Sequence, residues 1–179
     1  MKLKALDIEG AFLIENFSAQ DERGVFIKTF NSETFERNGL KAQFSESYYS
    51  ISKQNVIRGM HFQTPPHDHE KLVYVTDGEI IDVILDLRLH SPSYKKYAVV
   101  ELNAREHSVY IPRGCAHGFL TLSNEATVIY NVATVYNPGS DHGVRWDSFG
   151  YDWTGVTNPV ISNRDMAFFP FEEFKSPFN

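Results

Sequence analysis

The chain has 179 residues, a length typical of one domain with a sizeable core, and we expect a single domain over residues 1–179. Its net charge of −6 argues against a nucleic-acid-binding surface. No stretch approaches the roughly 18 apolar residues of a membrane span, and the N-terminal segment lacks the apolar core of a signal peptide, so we expect a cytoplasmic protein. The single cysteine, Cys115, excludes an internal disulfide framework and a thiolate zinc site, and we expect it to be buried and inert.

Strand-forming patterns dominate the chain, in which aromatic residues make up 14%. Residues 24–30 (GVFIKTF) are β-branched and aromatic, and residues 32–37 form the one clear helical pattern, ending near Gly39. In residues 81–87 apolar side chains alternate with Asp82 and Asp86, which predicts a strand with one buried face. Further strands are predicted at residues 97–102, 107–112, 119–122 and 127–136, with a short turn at 171–174.

The dipeptide Asp77-Gly78 separates two apolar runs, residues 73–76 and the run that begins at Glu79. Such a dipeptide between strand-forming segments is a strong signal for a β-hairpin. Many short strands with turn signals at close spacing are typical of a closed antiparallel sandwich or barrel. We therefore predict an all-β chain, a β-barrel of jelly-roll type with a few short helices.

The most informative stretch for function is residues 58–63 (RGMHFQ), followed by residues 71–75 (KLVYV). It places Arg58, His61 and Lys71 on neighbouring stretches of predicted β-structure. A guanidinium binds anions, and an imidazole, with an ordinary pKa of about 6.5, can remove a proton at neutral pH. An ammonium beside a substrate carbonyl can stabilise an enolate. With an aspartate behind the histidine and a tyrosine on the opposite face of the substrate, these groups would form a complete epimerase.

One segment, residues 112–117 (PRGCAH), matches the P-x-G-x-x-H signature of cupin barrels. Metal-binding cupins carry a glutamate seven residues before a turn glycine, whereas this chain has Lys71 at that distance from Gly78. A lysine ammonium repels a cation and does not ligate one. We interpret His67 and His69 as part of a solvated, proline-rich loop rather than as metal ligands. The sequence thus predicts a cupin-type double-stranded β-helix with no metal and no other cofactor.

Several longer motifs share the order and spacing of one enzyme family. They are residues 21–24 (DERG), 55–63 (NVIRGMHFQ), 71–73 (KLV), 86–88 (DLR) with 91–92 (SP), 111–119 (IPRGCAHGF), Tyr130, 145–147 (RWD) and 162–165 (SNRD). Through them nearly the whole chain resembles the nucleotide-sugar 4-keto-6-deoxyhexose 3,5-epimerases, best represented by the dTDP-4-dehydrorhamnose 3,5-epimerases. The resemblance implies a homodimeric enzyme of deoxysugar and polysaccharide biosynthesis. It inverts C3, C5 or both by proton abstraction next to the C4 ketone.

The resemblance also implies the catalytic residues. The family's base matches His61, and the partner of that base matches Asp165. The proton donor matches Tyr130, while Lys71 and His117 match residues that line the sugar site, with Lys71 placed to stabilise the enolate.

Nucleotide-binding residues follow from the same resemblance. Arg58 matches a diphosphate contact, and Arg23 matches one that reaches in from the partner subunit. Tyr136 matches an aromatic residue that stacks on the base, an interaction that reads little of the base's identity. Asp141 stands where the family often has an acidic nucleotide contact, and Arg164 stands where it often has a lysine. Gln63, at the end of the motif in residues 55–63, is also expected to bind substrate.

Three departures from the family pattern fall on expected substrate contacts. Glu46 and Tyr48 stand where a Gln-x-Asn pair is common, Lys28 stands where a glutamate is common, and Asn131 rather than lysine follows Tyr130. An ionised carboxylate can only accept hydrogen bonds, whereas an amide also donates. The nucleotide (dTDP, CDP or GDP) and the number of inverted carbons therefore stay open.

Each assignment has a structural alternative. His117 could serve the turn that contains it, Tyr130 could be a core residue, Asp165 could be a cap, and Arg23 could form a surface ion pair worth under about 1 kcal/mol. At the level of the whole protein, the alternative is a catalytically silent sugar-nucleotide-binding cupin, or a metal-dependent cupin of other function. The lysine in place of the glutamate and the retained base and acid favour the epimerase.

Overall fold

The computed structural model describes all 179 residues, Met1–Asn179, and strands account for most of its regular structure. The strands are β1 (Lys2–Ala5), β2 (Phe12–Glu15), β3 (Phe17–Asp21), β4 (Gly24–Lys28), β5 (Glu46–Lys53), β6 (Ile57–Gln63), β7 (Lys71–Asp77), β8 (Glu79–Asp86), β9 (Tyr97–Asn103), β10 (His107–Ile111), β11 (Cys115–Thr121), β12 (Glu125–Val132) and β13 (Asp141–Gly143). The helices are α1 (Ser32–Arg37), α2 (Asn163–Met166) and a 3-10 turn (Phe171–Glu173). No helix is long and apolar enough to cross a membrane.

Two antiparallel sheets form the body of the protein. Sheet I has the strand order β1-β2-β10-β7-β12-β5, and sheet II has the order β13-β6-β11-β8-β9. Apolar side chains of both sheets share one cluster, to which Val73 and Val128 contribute from sheet I and Ile84 and Phe119 from sheet II. This packing of two antiparallel sheets over a common core confirms the predicted all-β, jelly-roll class.

The hairpin predicted at Asp77-Gly78 is wrong, although the turn itself is present. Strand β7 lies between β10 and β12 in sheet I, whereas β8 lies between β11 and β9 in sheet II. The chain therefore crosses from one sheet to the other at Gly78, which has a φ of 79° and whose Cβ, if present, would collide with the carbonyl oxygen of Glu125. An Asp-Gly dipeptide indicates a turn, but it does not determine whether the two flanking strands pair with each other. Here each strand pairs with two other strands of its own sheet.

Strand β8 also differs from the prediction of one buried face. Its even-numbered residues, including Asp82 and Asp86, face the cluster between the sheets and are fully buried. Its odd-numbered residues, such as Val83 and Leu85, pack in a second cluster that includes C-terminal aromatic residues. Because that segment covers the outer face of sheet II, the alternation of charged and apolar residues does not mark a solvated side.

Each buried carboxylate of β8 has a charged or ionisable partner. Asp86 lies 2.8 Å from the Arg88 guanidinium and accepts hydrogen bonds from Ser91 and Ser93. Asp82 accepts from His117 Nε2 at 2.6 Å. Paired and hydrogen-bonded charges of this kind can be buried, whereas isolated ones are strongly destabilising.

Strands β3 and β4 form a two-stranded ribbon that pairs with neither large sheet. Its apolar residues Phe17, Val25 and Phe26 are exposed. An isolated two-stranded hairpin is at best marginally stable in water, so a ribbon of this kind needs a further contact.

Several local predictions are confirmed. Helix α1 covers the predicted residues, with Asn31 as its N-cap accepting from the Thr34 amide at 2.9 Å. Cys115 is buried, and burial raises the pKa of its thiol to about 12, as expected for an inert residue. The strand predicted to run from 127 to 136 ends at Val132, and helix α2 was not predicted.

Candidate active site

His61 lies on β6 of sheet II and is held by a carboxylate. Its Nε2 is 2.8 Å from Oδ1 of Asp165, whose side chain is 5% exposed, whereas the His61 side chain is 30% exposed. A carboxylate can only accept, so Nε2 carries the proton and Nδ1 is left as the basic nitrogen. The pair thus presents an imidazole with a fixed tautomer to solvent or substrate.

Two hydrogen bonds hold Asp165 in place, one to its backbone amide and one to its carboxylate. Ser162 caps helix α2 by accepting from the Asp165 amide at 3.1 Å, and Oδ2 of Asp165 accepts from the Gly59 amide at 3.2 Å. Burial alone would raise the pKa of Asp165, but the hydrogen bonds from His61 and Gly59 lower it below its ordinary value. The carboxylate is therefore ionised and can stabilise an imidazolium.

Lys71 approaches the same place from the opposite sheet. It is the first residue of β7 in sheet I, and its Nζ donates to the His61 carbonyl oxygen at 3.3 Å. Burial lowers the pKa of Lys71 to about 8, although the nearby charges of Asp141 and Asp82 act in the other direction. The two side chains line one pocket.

Tyr130 lies on β12 of sheet I, and three neighbours hold its ring and hydroxyl. Tyr48 stacks on it with ring centroids 4.9 Å apart and an interplanar angle of 18°. Ser50 Oγ is 3.4 Å from its hydroxyl, and the His117 ring lies at 6.0 Å in an edge arrangement. Burial raises the pKa of Tyr130 above its ordinary value, so the phenol keeps its proton.

The pocket has a volume of about 320 Å³, a size suited to a small ligand. Its lining comes from both sheets, two loops and helix α2: Glu46, Tyr48, His61, Phe62, Gln63, His69, Lys71, Val132, Tyr136, Asp141 and Arg164. Of the predicted site residues, six in addition to the base and the lysine therefore converge on one cavity.

The mouth of the pocket is a polar network around an exposed aromatic ring. Arg164 is 2.8 Å from Asp141, and the Tyr136 hydroxyl donates to Asp141 at 3.2 Å. The Tyr136 amide donates to Glu46 at 2.6 Å, and 55% of Tyr136 is exposed. The Tyr136 ring is thus exposed to solvent, on a loop whose backbone is held by a hydrogen bond to Glu46.

Two predicted binding residues take part in internal contacts, and only the first of them, Gln63, lines the cavity. Gln63 accepts from the Asn137 amide at 2.6 Å and donates to the His67 carbonyl at 2.9 Å, so it joins two loops at the pocket wall. His117 is buried with Asp82, whose second oxygen has no hydrogen-bond partner.

The interpretation of His69 as part of a solvated loop is wrong. His69 is buried, its Nδ1 lies 2.7 Å from Thr134 Oγ1, and burial together with the Lys71 charge lowers its pKa to about 3. The two prolines of the segment are exposed, as its composition suggests, but His69 at its end lines the pocket. No group of three or more His, Cys, Asp or Glu side chains is arranged to hold a metal ion.

Besides His117, three predicted binding residues do not line the pocket within one chain. Arg58, next to His61 in sequence, donates from Nε to Ser52 Oγ at 2.9 Å. Arg23 is 85% exposed near the tip of the β3–β4 ribbon, beside Asp21. Lys28, at the other end of β4, lies over the Phe17 ring at 5.8 Å.

Sequence reasoning missed a set of contacts made by one strand. Alternate residues of β5 face the site. Glu46 contacts the Tyr136 amide, and Tyr48 stacks on the Tyr130 ring. Ser50 lies near the Tyr130 hydroxyl, and Ser52 accepts a hydrogen bond from Arg58. The period-2 spacing of polar residues along residues 46–52 was available as a signal.

Comparisons with known proteins agree on one family. A family model described as dTDP-4-dehydrorhamnose 3,5-epimerase matches residues 5–173. The dTDP-4-dehydrorhamnose 3,5-epimerase of Methanothermobacter thermautotrophicus is 42% identical over 173 residues, which is 93% of this chain and 92% of that protein.

Solved structures extend the likeness to the fold. A dTDP-6-deoxy-D-glucose-3,5-epimerase from Legionella pneumophila, in complex with dTDP-4-keto-L-rhamnose, has a TM-score of 0.92 at 30% identity, over 97% of this chain and 94% of that one. A 3'-monoepimerase from Streptomyces bikiniensis, in complex with dTDP-quinovose, has a TM-score of 0.86 at 28% identity, over 91% and 84%.

Proposed function

Because this chain belongs to the dTDP-4-dehydrorhamnose 3,5-epimerase family, we propose that it inverts C3, C5 or both in a dTDP-linked 4-keto-6-deoxyhexose, with His61, Lys71 and Tyr130 as its catalytic residues. The observation that carries these roles is the placement of His61 on sheet II and Tyr130 on sheet I. A base on one sheet and an acid on the facing sheet can reach opposite faces of a sugar ring bound between them.

The chain's own side chains supply each step. His61 Nδ1 takes the proton from a carbon next to the C4 ketone, and the electron pair of that C–H bond moves onto the C4 oxygen. The Lys71 ammonium stabilises the resulting enolate, while Asp165 stabilises the imidazolium. Tyr130 then gives its proton to the opposite face of the same carbon. Exchange with water returns a proton to Tyr130 and removes one from His61.

Recognition of the nucleotide falls to the mouth of the pocket. Tyr136 provides a stacking face for the base, with Asp141 and Arg164 as polar contacts beside it. Glu46 replaces an amide residue of the family pattern. Its carboxylate accepts a hydrogen bond from the backbone amide of Tyr136, so it supports the loop instead of contacting the base. This favours retention of dTDP, the nucleotide named for the relatives, over CDP or GDP.

The substrate is tested by incubating the protein in heavy water with dTDP-, CDP- and GDP-linked 4-keto-6-deoxyhexoses. We expect the dTDP sugar to gain deuterium with the highest kcat/KM, and mass spectrometry to count one or two deuterons for one or two inverted centres. If the CDP or GDP sugar exchanges as fast as the dTDP sugar, the nucleotide assignment is wrong.

We also propose a homodimer in which the β3–β4 ribbon of each protomer completes the partner's pocket. The ribbon pairs with neither sheet, and it exposes Phe17 and Phe26, which a second copy would bury. Arg23 and Lys28 lie on it outside their own pocket, where they could join Arg58 in binding the diphosphate of the neighbouring site.

Mixing two variants tests the shared site. Arg23→Ala should lose about tenfold in kcat/KM, the loss expected for a charge-assisted contact. Adding inactive His61→Ala protein to it should raise the activity, since mixed dimers then contain one pocket with both residues intact. A sedimentation result showing monomers, or no gain on mixing, contradicts the proposal.

A further inference from the structure

Strand β5 is the edge strand of sheet I and pairs only with β12, which carries Tyr130. In that register Tyr48 lies directly opposite Tyr130, and their rings stack. Ser50, two residues further along the same face, lies 3.4 Å from the Tyr130 hydroxyl and is the only hydrogen-bond partner that this hydroxyl has. One short strand thus contacts both the ring and the acidic group of the donor.

We propose that Tyr48 and Ser50 are positioning residues that hold Tyr130 where it can protonate the carbanion, and so determine how often proton abstraction ends in inversion. This inference rests on the proposed function. Tyr48 stands at one of the positions where the chain departs from the family pattern, which makes the ring-on-ring contact a property of this chain.

The stacked ring limits how Tyr130 can move. Rotation about the Cα–Cβ bond of a tyrosine moves its hydroxyl through space, and rotation about Cβ–Cγ tilts the ring plane; a parallel ring against one face restricts both motions. Burial and the charges of Glu46 and Asp141 raise the pKa of the Tyr48 phenol to about 12, so the stacked ring stays neutral, although 43% of the residue is exposed. A shift of about 1 Å in a reacting group can lower a rate 10²-fold.

Ser50 controls the direction of the phenol proton. When the Ser50 hydroxyl donates to the Tyr130 oxygen, the Tyr130 proton is free to point at the substrate. During transfer the Tyr130 O–H bond breaks and the new C–H bond forms, while Ser50 keeps its own proton and stabilises the phenolate left behind.

A carbanion in this pocket has two fates, and they are separable by experiment. If His61 returns the proton after exchange with heavy water, the sugar gains deuterium with its configuration retained. If Tyr130 supplies the proton, the carbon is inverted. A displaced donor therefore lowers the ratio of inversion to total exchange, whereas general damage to the pocket lowers both rates together.

The experiment compares Tyr48→Leu, Tyr48→Phe and Ser50→Ala with Ser47→Ala, a neighbour on the exposed face of β5. With a dTDP-linked 4-keto-6-deoxyhexose in heavy water, total exchange is read by mass spectrometry and inversion by NMR. We expect the ratio of inversion to exchange to fall at least about tenfold in Tyr48→Leu and severalfold in Ser50→Ala. Tyr48→Phe, which retains the stacked ring, and Ser47→Ala should stay within about twofold of wild type.

The outcomes separate the inference from the proposed function. Wild-type protein that exchanges no protons on any of the nucleotide sugars refutes the function. Two outcomes would overturn the positioning role while leaving the function intact in wild-type protein. One is a ratio of inversion to exchange that is unchanged in Tyr48→Leu, and the other is a ratio as low in Tyr48→Phe as in Tyr48→Leu. If Tyr48→Leu fails to fold by circular dichroism, Tyr48→Asn and Ser50→Ala give the same comparison.

Discussion

Replacing His61 by alanine should lower solvent-proton exchange into the sugar by about 10³–10⁴-fold, the upper range for loss of a general base. The His61 imidazole presents a basic nitrogen beside Lys71, and Asp165 cannot act in its place because it lies behind the ring. His69, which also lines the pocket, is a poor base because its pKa is lowered to about 3. Binding of dTDP should change little, since Tyr136 and Arg164 lie at the mouth of the pocket. Deuterium incorporation and calorimetric binding measure the two quantities.

A matched control separates this loss from a general effect of removing a histidine. His90 is exposed in the turn after β8, and His90→Ala should keep wild-type exchange. Asp165→Asn should retain the fold but lose activity, because an amide in the carboxylate's place can donate to the ring and select the wrong tautomer. Residual exchange above about a tenth of wild type in His61→Ala would assign the base elsewhere.

Replacing Lys71 by methionine should lower kcat/KM by about 10²–10³-fold, the loss expected when one group that stabilises an oxyanion is removed. Methionine has nearly the same length and suits a buried site, so the fold should be retained. Lys71→Arg keeps a positive charge and should recover part of the rate, limited by the larger guanidinium.

The same lysine should set the alkaline limb of the pH profile. Its pKa is lowered to about 8 by burial, so the ammonium is present below that pH and is lost as the pH rises through it. In wild-type protein kcat/KM should fall above about pH 8, and in Lys71→Arg the fall should be absent, because a guanidinium stays protonated. An alkaline limb that persists unchanged in Lys71→Arg belongs to another group.

Local chemistry explains which parts of the fold could be predicted from the sequence. Helix α1 has its cap and polar pattern within a few residues, and strand β9 alternates clearly, so both could be recognised from local sequence. The partner of a strand is not a local property. The turn at Gly78 was therefore located correctly while its strands were paired wrongly.

The site shows the same division. His61 and Lys71 could be brought together from sequence because each lies in a strand-forming motif and few residues separate the two motifs. Asp82 was treated as a solvent-facing residue of an alternating strand, since nothing in residues 79–86 shows that the outer face of sheet II is covered by residues far along the chain. Ser50 was missed for a related reason: its significance depends on the register between β5 and β12.

The crossing at Gly78 bears on how this protein can diverge. Strand β7 holds Lys71, Val73 and Val75 toward the interior and ends one residue before the crossing, so a single insertion or deletion between Lys71 and Gly78 turns the ammonium out of the pocket. The length of β7 should therefore be constrained as strictly as the identity of Lys71. Related chains with altered specificity should therefore vary in side chains on β5 while keeping the spacing from the lysine to the glycine unchanged.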